Sequence, residues 1–212
     1  MKKNNDIRID VKLLHPNLRH KLNRLLDACN QQGIYLIITE GFRSVERQNE
    51  LYAQGRTKPG IRVTDATGTS YQSQHQWGIA FDVAINDNEL LYNVVYLTRV
   101  AKIAKADPIN LCWGGDWTDI IDRPHFYLGK WGSTPKQLKE LYITPDAFMK
   151  TWKAKVVRKG GLHIWSTYKL RNRKSKIKLD YGFEVDVLWR HKKWSKVNYN
   201  GLVGYMRSKY IK

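Results

Sequence analysis

The hydrophobic positions in the first 130 residues follow helical spacing in some segments and strand-like spacing in others. One helical stripe lies between His15 and Gly33, and a second spans residues 92–106. A shorter helix is expected after Ser44, a residue that favours the N-cap position. The positions predicted to face the core are Leu18, Leu22, Leu25, Leu26 and Cys29 in the first helix, and Val95, Leu97, Val100, Ile103 and Ala104 in the second.

Short apolar runs between these helices predict buried strands at residues 34–39, 79–85, 111–113 and 125–128. In the second run, Asp82 falls on one face and Phe81 and Val83 on the other, because successive side chains of a strand point to opposite sides. Residues 55–72 form a polar loop that is long for a compact domain. Loops of this length are often functional, so this one is a candidate part of a binding surface.

The pattern changes after Gly129. A helix over residues 136–142 is predicted, with Thr134 as its cap and Pro135 at its first position, and Pro145 is expected to end it. Beyond about residue 153 the chain shows only short alternating runs, at residues 155–157, 162–165, 183–188, 194–197 and 202–205. Asn200-Gly201 predicts a hairpin between the last two runs. Five or six strands in about sixty residues indicate a small all-β barrel.

Charge separates the same two regions. The formal net charge of the 212 residues is +18, and 42% hydrophobic content with eight Trp excludes a disordered chain. From Thr151 onward there are 17 Lys and Arg against 3 Asp and Glu, a net charge of +14. Such a field favours polyanionic partners, either nucleic acid, anionic lipid or the phosphate polymers of a bacterial wall.

The cysteines and the N-terminus exclude several classes of protein. Two cysteines, Cys29 and Cys112, cannot form a disulfide framework, and both are predicted to be buried thiols. The basic start of the chain is not followed by an apolar run, so no signal peptide is expected. The sequence contains no apolar stretch of about twenty residues, so no membrane span is expected. We therefore expect a protein made in the cytoplasm.

Two short segments contain the candidate chemistry. His75 and Asp82 lie in one, and Asp122 and His125 lie about forty residues later in the other. Two His and one Asp can hold a catalytic zinc ion and leave one position open for water, and Asp122 could then act as the base. From spacing alone, the alternative is that these histidines bind no metal. An isolated His is usually a core or surface residue whose hydrogen bonds are satisfied by other groups.

These segments resemble the two motifs of a known superfamily. Ser73-x-His75-x-x-Gly78-x-Ala80-x-Asp82 is similar to the first motif of the LAS zinc peptidases, and Asp122-x-x-His125 is similar to the second. The superfamily is named for lysostaphin, D-alanyl-D-alanine carboxypeptidases and the Hedgehog signalling domain. The resemblance implies an α+β fold with a small antiparallel sheet packed by helices. It also implies one zinc ion on His75, Asp82 and His125, with Asp122 as the catalytic acid and base.

The same resemblance implies a substrate side of the site. Arg43 and Gln48 match residues that contact substrate in this family, and Ser73 would hydrogen-bond the substrate or orient His75. An arginine near zinc can hold a carboxylate or stabilise the oxyanion, so Arg43 is also a catalytic candidate. The alternative for Arg43 is a structural salt bridge with Glu40 or Asp65, and the alternative for Ser73 is a turn residue.

The basic C-terminal region resembles the bacterial Src-homology-3-like domains that bind cell walls. The resemblance rests on Gly161-Leu-His-Ile-Trp-Ser166 and on residues 194–211, and it is looser between Lys169 and Lys178. It implies binding to wall peptide or to anionic wall polymers. Basic charge with exposed aromatics would also suit nucleic acid, the less favoured partner here.

We therefore expect a peptidase domain at 1–130, a partly helical connector at 131–152 and a wall-binding domain at 153–212. The expected reaction is hydrolysis of the L-alanyl-D-glutamate bond of peptidoglycan, as in phage endolysins released through a phage-encoded pore to lyse the cell. One alternative is a D-Ala-D-Ala carboxypeptidase of the same family. An alternative of another class is a non-catalytic protein that binds walls or nucleic acid.

Overall fold

A computed structural model describes residues 7–169 and 173–212. The basic N-terminal segment, residues 1–6, and residues 170–172 of the loosely matching loop lie outside the described residues. The chain forms two compact units, residues 1–145 and 146–212, so the division falls inside the segment predicted as a connector. Each unit is described by itself. No helix in the described ranges is both long and apolar enough to cross a membrane.

The first unit is an α+β structure. Its helices are α1 (Pro16–Asn30), α2 (Val45–Ala53), α3 (Val94–Lys105) and α4 (Lys136–Tyr142). Its strands are β1 (Leu36–Glu40), β2 (Ala80–Ile85), β3 (Cys112–Trp113) and β4 (His125–Tyr127), paired antiparallel in the order β1-β2-β4-β3. Helices α1 and α3 pack together, and α3 also packs on β2 and β3. The helices thus cover the small sheet, as predicted.

The buried positions of α1 confirm the predicted stripe at Leu18, Leu22, Leu25 and Cys29. In α3 the stripe is correct at Leu97, Val100 and Ala104, but the assignment of Val95 to the core is wrong, since 67% of Val95 is exposed. Val95 precedes Leu97 by two residues, which places it about 200° around the helix from the buried face.

Two predictions for the segment after Gly129 are also corrected. Helix α4 begins at Lys136 as expected, but Pro135 takes the N-cap position and no side chain caps the helix, so Thr134 is not its cap. Pro145 does not end a helix but begins α5 (Pro145–Met149). Proline is tolerated there because the first turn of a helix does not use its backbone N–H groups.

The second unit is all β apart from α5 and short 3-10 turns. Its strands are β5 (Lys153–Lys155), β6 (Leu162–Trp165), β7 (Ser175–Leu179), β8 (Glu184–His191), β9 (Trp194–Tyr199) and β10 (Leu202–Arg207). They pair antiparallel in the order β5-β8-β9-β10-β6-β7. Within the described residues no ladder joins β5 to β7, so a closed barrel is not seen.

The core of this unit is small and aliphatic, built from residues such as Val156, Ile164, Val197 and Met206. The hairpin predicted at Asn200-Gly201 is confirmed by the pairing of β9 with β10. Strand β7 was not predicted, although its last four residues alternate Lys-Ile-Lys-Leu; four of its five residues are exposed.

Candidate metal centre

Asp82 and His125 lie directly opposite each other on β2 and β4. On the other side of β2, Glu40 of β1 is the partner of Asp82, so the three residues form one row across the sheet. The Val83 N–H donates to the Pro124 carbonyl at 3.1 Å, which extends the pairing to the residue before β4. The sheet register therefore fixes the distance between Asp82 and His125.

His75 reaches the same place from a 3-10 turn, Gln74–Trp77. The turn ends at Gly78, whose φ of 60° is a conformation that favours glycine. The Gly78 N–H donates to the carbonyls of Gln74 and His75, and the Gly78 carbonyl accepts from the His15 N–H at 2.8 Å. Because His15 is the N-cap of α1, the start of that helix holds the turn below His75.

The three predicted ligands converge on one point. His75 Nε2 lies 3.3 Å and His125 Nδ1 lies 2.9 Å from the same Asp82 oxygen, Oδ1. One potential ligand atom from each residue lies within 4.8 Å of the other two. Both imidazoles are buried, and their ring centroids are 4.9 Å apart. The structure thus brings together residues that are up to fifty positions apart in the sequence.

The outer nitrogen of each imidazole is held by an oxygen that can only accept. His75 Nδ1 donates to the Gly41 carbonyl at 2.8 Å, and His125 Nε2 donates to the side-chain oxygen of Gln74 at 2.8 Å. These contacts occupy the outer nitrogens, so the inner nitrogens, His75 Nε2 and His125 Nδ1, face Asp82. Neither Gly41 nor Gln74 was predicted from sequence, because nothing in their identity marks them as partners of a ligand.

Asp82 is a carboxylate in this environment. Burial alone would raise the pKa of Asp82, but the adjacent His75 and His125 outweigh it and hold that pKa below its usual range. Two imidazole nitrogens and a carboxylate oxygen thus face one point, where all three could bind a single cation. Two imidazoles and one carboxylate are the donor set of a catalytic zinc site. The residues present therefore fit a zinc ion.

Asp122 lies beside this cluster. Burial and the negative charge of Asp82 raise the pKa of Asp122, while His125, His75 and Arg43 oppose the shift. The Asp122 N–H donates to the Gly114 carbonyl at 3.1 Å, and a Cβ on Gly114 would lie 2.6 Å from the Asp122 carbonyl oxygen. Only glycine leaves room for this close approach, so Gly114 fixes the backbone that presents Asp122.

The residues predicted on the substrate side form a connected group. The Arg43 guanidinium donates to Glu40 at 3.0 Å, to the Gln48 side-chain oxygen at 3.1 Å and to Ser73 Oγ at 3.4 Å. The salt bridge with Glu40 therefore exists, whereas Asp65 pairs with Arg56 instead. Arg43 nevertheless lies close enough to Asp122 to influence its pKa.

Gln48 lies beneath Arg43. It is 0% exposed, and its amide nitrogen donates to Thr64 Oγ1 and to the Ala66 carbonyl in the 55–72 loop. Its amide groups are thus bonded within the protein, and any effect of Gln48 on substrate would pass through Arg43.

The aromatic residues near the site differ in position. Trp77 is fully buried and Trp113 nearly so, which makes them part of the core. Trp117 is half-buried, with its ring centroid 5.1 Å from that of His125, and its indole N–H donates to the Tyr127 hydroxyl at 3.2 Å. The contact of Trp117 with His125, a predicted metal ligand, comes from the structure alone.

Comparison with known proteins identifies a group of peptidoglycan peptidases. A family model described as VanY, D-alanyl-D-alanine carboxypeptidase, matches residues 11–106, a range that includes His75 and Asp82 and ends before Asp122. The peptidoglycan L-alanyl-D-glutamate endopeptidase CwlK of Bacillus subtilis is 39% identical over 123 residues, covering 53% of this chain and 71% of that protein.

Two further similarities are more distant. The L-alanyl-D-glutamate peptidase of Listeria phage A118 is 27% identical over 118 residues, covering 55% of this chain but only 38% of the phage protein. The crystal structure of the Serratia marcescens L-Ala D-Glu endopeptidase ChiX aligns with a TM-score of 0.41 and 26% identity, covering 57% of this chain and 86% of that one.

The extent of the match to the Bacillus protein shows the family. The chain belongs to the VanY-type family of peptidoglycan peptidases, and its relatives include L-alanyl-D-glutamate endopeptidases.

Proposed function

We propose that the protein is a zinc-dependent peptidoglycan endopeptidase that cleaves the bond between L-Ala and D-Glu in the stem peptide. The observation that supports it best is the convergence of His75, Asp82 and His125 within 4.8 Å, next to the half-buried Asp122. His75 Nε2, Asp82 Oδ1 and His125 Nδ1 would hold the ion. Zinc bound there would lower the pKa of water and polarise the scissile carbonyl.

Asp122 is proposed as the acid and base. It accepts the proton that the attacking water loses and delivers it to the leaving amine, so that the products are a free L-Ala carboxylate and a new D-Glu N-terminus. A carboxyl group with a raised pKa suits this exchange, because its carboxylate accepts a proton more readily than an ordinary one. Burial is the largest cause of the raised pKa of Asp122.

Arg43 is proposed to hold substrate. Its Nε is bonded to Glu40, while Nη1 faces Ser73 and Gln48, so the group is fixed before substrate arrives. A fixed guanidinium can bind the D-Glu carboxylate or the oxyanion that forms on the carbonyl. Ser73 and Gln48 are proposed to support Arg43 by accepting hydrogen bonds from Nη1. Ser73 would also contact the substrate, whereas Gln48 is buried.

Digestion of purified peptidoglycan tests the reaction. We expect mass spectrometry to show fragments with a new N-terminal D-Glu, a loss of activity with EDTA and in His75→Ala, and recovery of the wild type with Zn²⁺. The VanY family match favours the alternative of a D-Ala-D-Ala carboxypeptidase. Release of free D-Ala without new D-Glu termini would establish that alternative, and lysis insensitive to EDTA would exclude the zinc mechanism.

The second unit is proposed as a wall-binding domain of the Src-homology-3-like type. Its support is an antiparallel sheet with its own core, together with the basic charge of the region. We assign 1–130 to the peptidase domain, 131–152 to the connector and 153–212 to this domain. A domain that holds the enzyme on its insoluble substrate raises the local substrate concentration.

The phage relative supports a further proposal, that the protein is an endolysin that reaches the wall through a phage-encoded pore and lyses the cell. Expression in a bacterial host with and without a pore-forming holin tests this. Lysis is expected only when both proteins are present.

A further inference from the structure

A basic cleft of about 620 Å³ lies within the second unit. Strand β6 lines it on one side, and the β8–β9 turn, the start of β9 and the end of β10 line the other. Six of its twelve lining residues are cations, and none is a carboxylate; the cations are Arg158, Arg173, Lys192, Lys193, Arg207 and Lys209. Its volume is that of a typical ligand site.

The cations of this cleft are not paired with carboxylates in the part of the unit that the structure describes. Among the described residues, no carboxylate lies within ion-pair distance of the six cations. From Thr151 onward the sequence has only three carboxylates, and two of them, Glu184 and Asp186, lie beside Lys153 at 3.3 and 2.9 Å. Lys153 does not line the cleft. Six clustered like charges repel one another, so an anion bound among them is strongly favoured.

Aromatic rings hold two of the arginines in place. The Arg173 guanidinium lies 4.3 Å from the centre of the Trp165 ring, and the Arg207 guanidinium lies 4.3 Å from that of Trp194. Stacking orders the guanidinium and leaves its N–H edge available for hydrogen bonds. A planar, ordered N–H edge matches the oxygens of a phosphate group.

The same stacking argues against a nucleic acid. Proteins that bind single strands without sequence preference stack bases on open aromatic faces. In this cleft, Trp165 and Trp194 each have a face covered by an arginine, and Tyr210 has Lys209 at 4.6 Å. The cleft thus offers cations stacked on rings rather than open ring faces.

We propose that this cleft binds an anionic wall polymer made of polyol units joined by phosphodiesters. The cations occur as three groups around one cleft, namely the two arginine–tryptophan pairs, the Lys192-Lys193 turn, and Arg158 with Lys209 beside Tyr210. A polymer with repeated phosphates can contact several of these cation groups at once. A single small anion could contact only one group. The inference rests on the proposed wall-binding role of this unit.

Co-sedimentation of the full chain with sacculi tests the inference. All proteins carry Asp122→Asn, so that the walls are not digested. Two wall samples are used. One keeps its teichoic acids, and the other is the same preparation stripped of phosphodiester polymers with hydrofluoric acid. The test variant is Arg173→Gln/Arg207→Gln. The matched control is Lys155→Gln/Lys176→Gln, which removes the same charge from exposed positions of the second unit outside the cleft.

We expect the cleft variant to lose about tenfold in affinity for intact sacculi, since it lacks two charge-assisted contacts. The control should change less than about threefold, and stripped sacculi should bind all forms weakly. Soluble poly(glycerol phosphate) should displace the wild-type chain from intact sacculi, a measurement that needs no variant. Thermal unfolding checks that the cleft variant is folded.

Three results would overturn the inference: equal losses in the cleft variant and the control, undiminished binding to stripped sacculi, or tighter binding to single-stranded DNA than to poly(glycerol phosphate). Hydrolysis of a soluble muropeptide separates this inference from the proposed reaction. The cleft variant with native Asp122 should keep that hydrolysis, and an inactive wild type that still binds poly(glycerol phosphate) would refute the reaction alone.

Discussion

The side-chain oxygen of Gln74 lies 2.8 Å from His125 Nε2, on the side of the ring that faces away from Asp82. Gln74 is only 5% exposed, and its amide nitrogen lies 3.4 Å from the Gly132 carbonyl, which fixes which end of the amide faces His125. A residue next to His75 in the sequence thus orients the ligand on β4, and the two metal-binding segments are linked directly.

We expect Gln74→Met to weaken metal binding by roughly 10- to 100-fold, the usual effect of losing a hydrogen-bond partner of a ligand. Gln74→Glu keeps an acceptor oxygen and should retain most of the affinity. Competition with a chromophoric chelator measures the affinity, and the absorption bands of a Co²⁺-loaded form report the ligand geometry. Equal affinities for the two variants would show that Gln74 only fills space.

Arg43 and Arg47 provide a matched pair, because both contact Glu40 but only Arg43 contacts Ser73 and Gln48. We expect Arg43→Lys to lower kcat/KM roughly 100-fold, since lysine cannot keep the same fork of donors, while the bound metal is unchanged. Arg47→Lys should change kcat/KM less than about threefold.

The kinetic constants distinguish the two roles proposed for Arg43. A higher KM at constant kcat indicates binding of a substrate carboxylate, and a lower kcat indicates stabilisation of the oxyanion. Similar effects of the two substitutions would assign Arg43 to the salt bridge alone.

Gly114 is expected to act on catalysis through Asp122. A methyl group at Gly114 would lie 2.6 Å from the Asp122 carbonyl oxygen and 3.0 Å from His125 Cβ, so the Asp122 backbone must shift. We expect Gly114→Ala to lower kcat by up to about 100-fold through this displacement. Gly160→Ala is the control, because an added Cβ there meets no atom within 4 Å.

A double-mutant cycle tests the route of this effect. In an Asp122→Asn background, which should itself lower kcat by about 10²- to 10⁴-fold, Gly114→Ala should have little further effect. Additive losses would mean that Gly114 acts elsewhere, and metal analysis of each variant shows whether His125 was disturbed instead.

The convergence of the three predicted metal ligands could be expected from sequence because their segments resemble the two motifs of a zinc-peptidase superfamily. His75, Asp82 and His125 converge in the structure as those motifs implied. The roles of Gly41 and Gln74 could not be predicted in the same way. The role of Gln74 depends on the 3-10 turn at Gln74–Trp77, and the role of Gly41 depends on its position directly after β1. Neither position is marked by a local sequence pattern.

The fold shows the same contrast. The buried face of α1 was predictable because burial on one side of a helix imposes a period on the sequence. Strand β7 was missed although Lys176 and Lys178 alternate with Ile177 and Leu179; only Leu179 of its five residues is buried. The prediction of Val95 as a core residue failed at the first turn of α3, where an apolar residue is still exposed.

His15 should make the stability of the first unit depend on pH. Burial, with Lys130 and Arg19 nearby, lowers the pKa of His15 from 6.5 to about 3, while its Nδ1 accepts the Asn17 N–H as the cap of α1. Between these values the unfolded chain binds a proton that the folded chain excludes, so stability is complete above pH 6.5 and falls as the pH drops. The slope is about 1.4 kcal/mol per pH unit, or about 2 kcal/mol between pH 7 and pH 5. His15→Asn keeps a capping side chain without a titrating group. Urea denaturation measures the unfolding free energy of wild type and variant. The advantage of the wild type over the variant should be smaller at pH 5 than at pH 7 by that amount. A difference that is constant with pH would show that folding leaves the pKa of His15 unshifted.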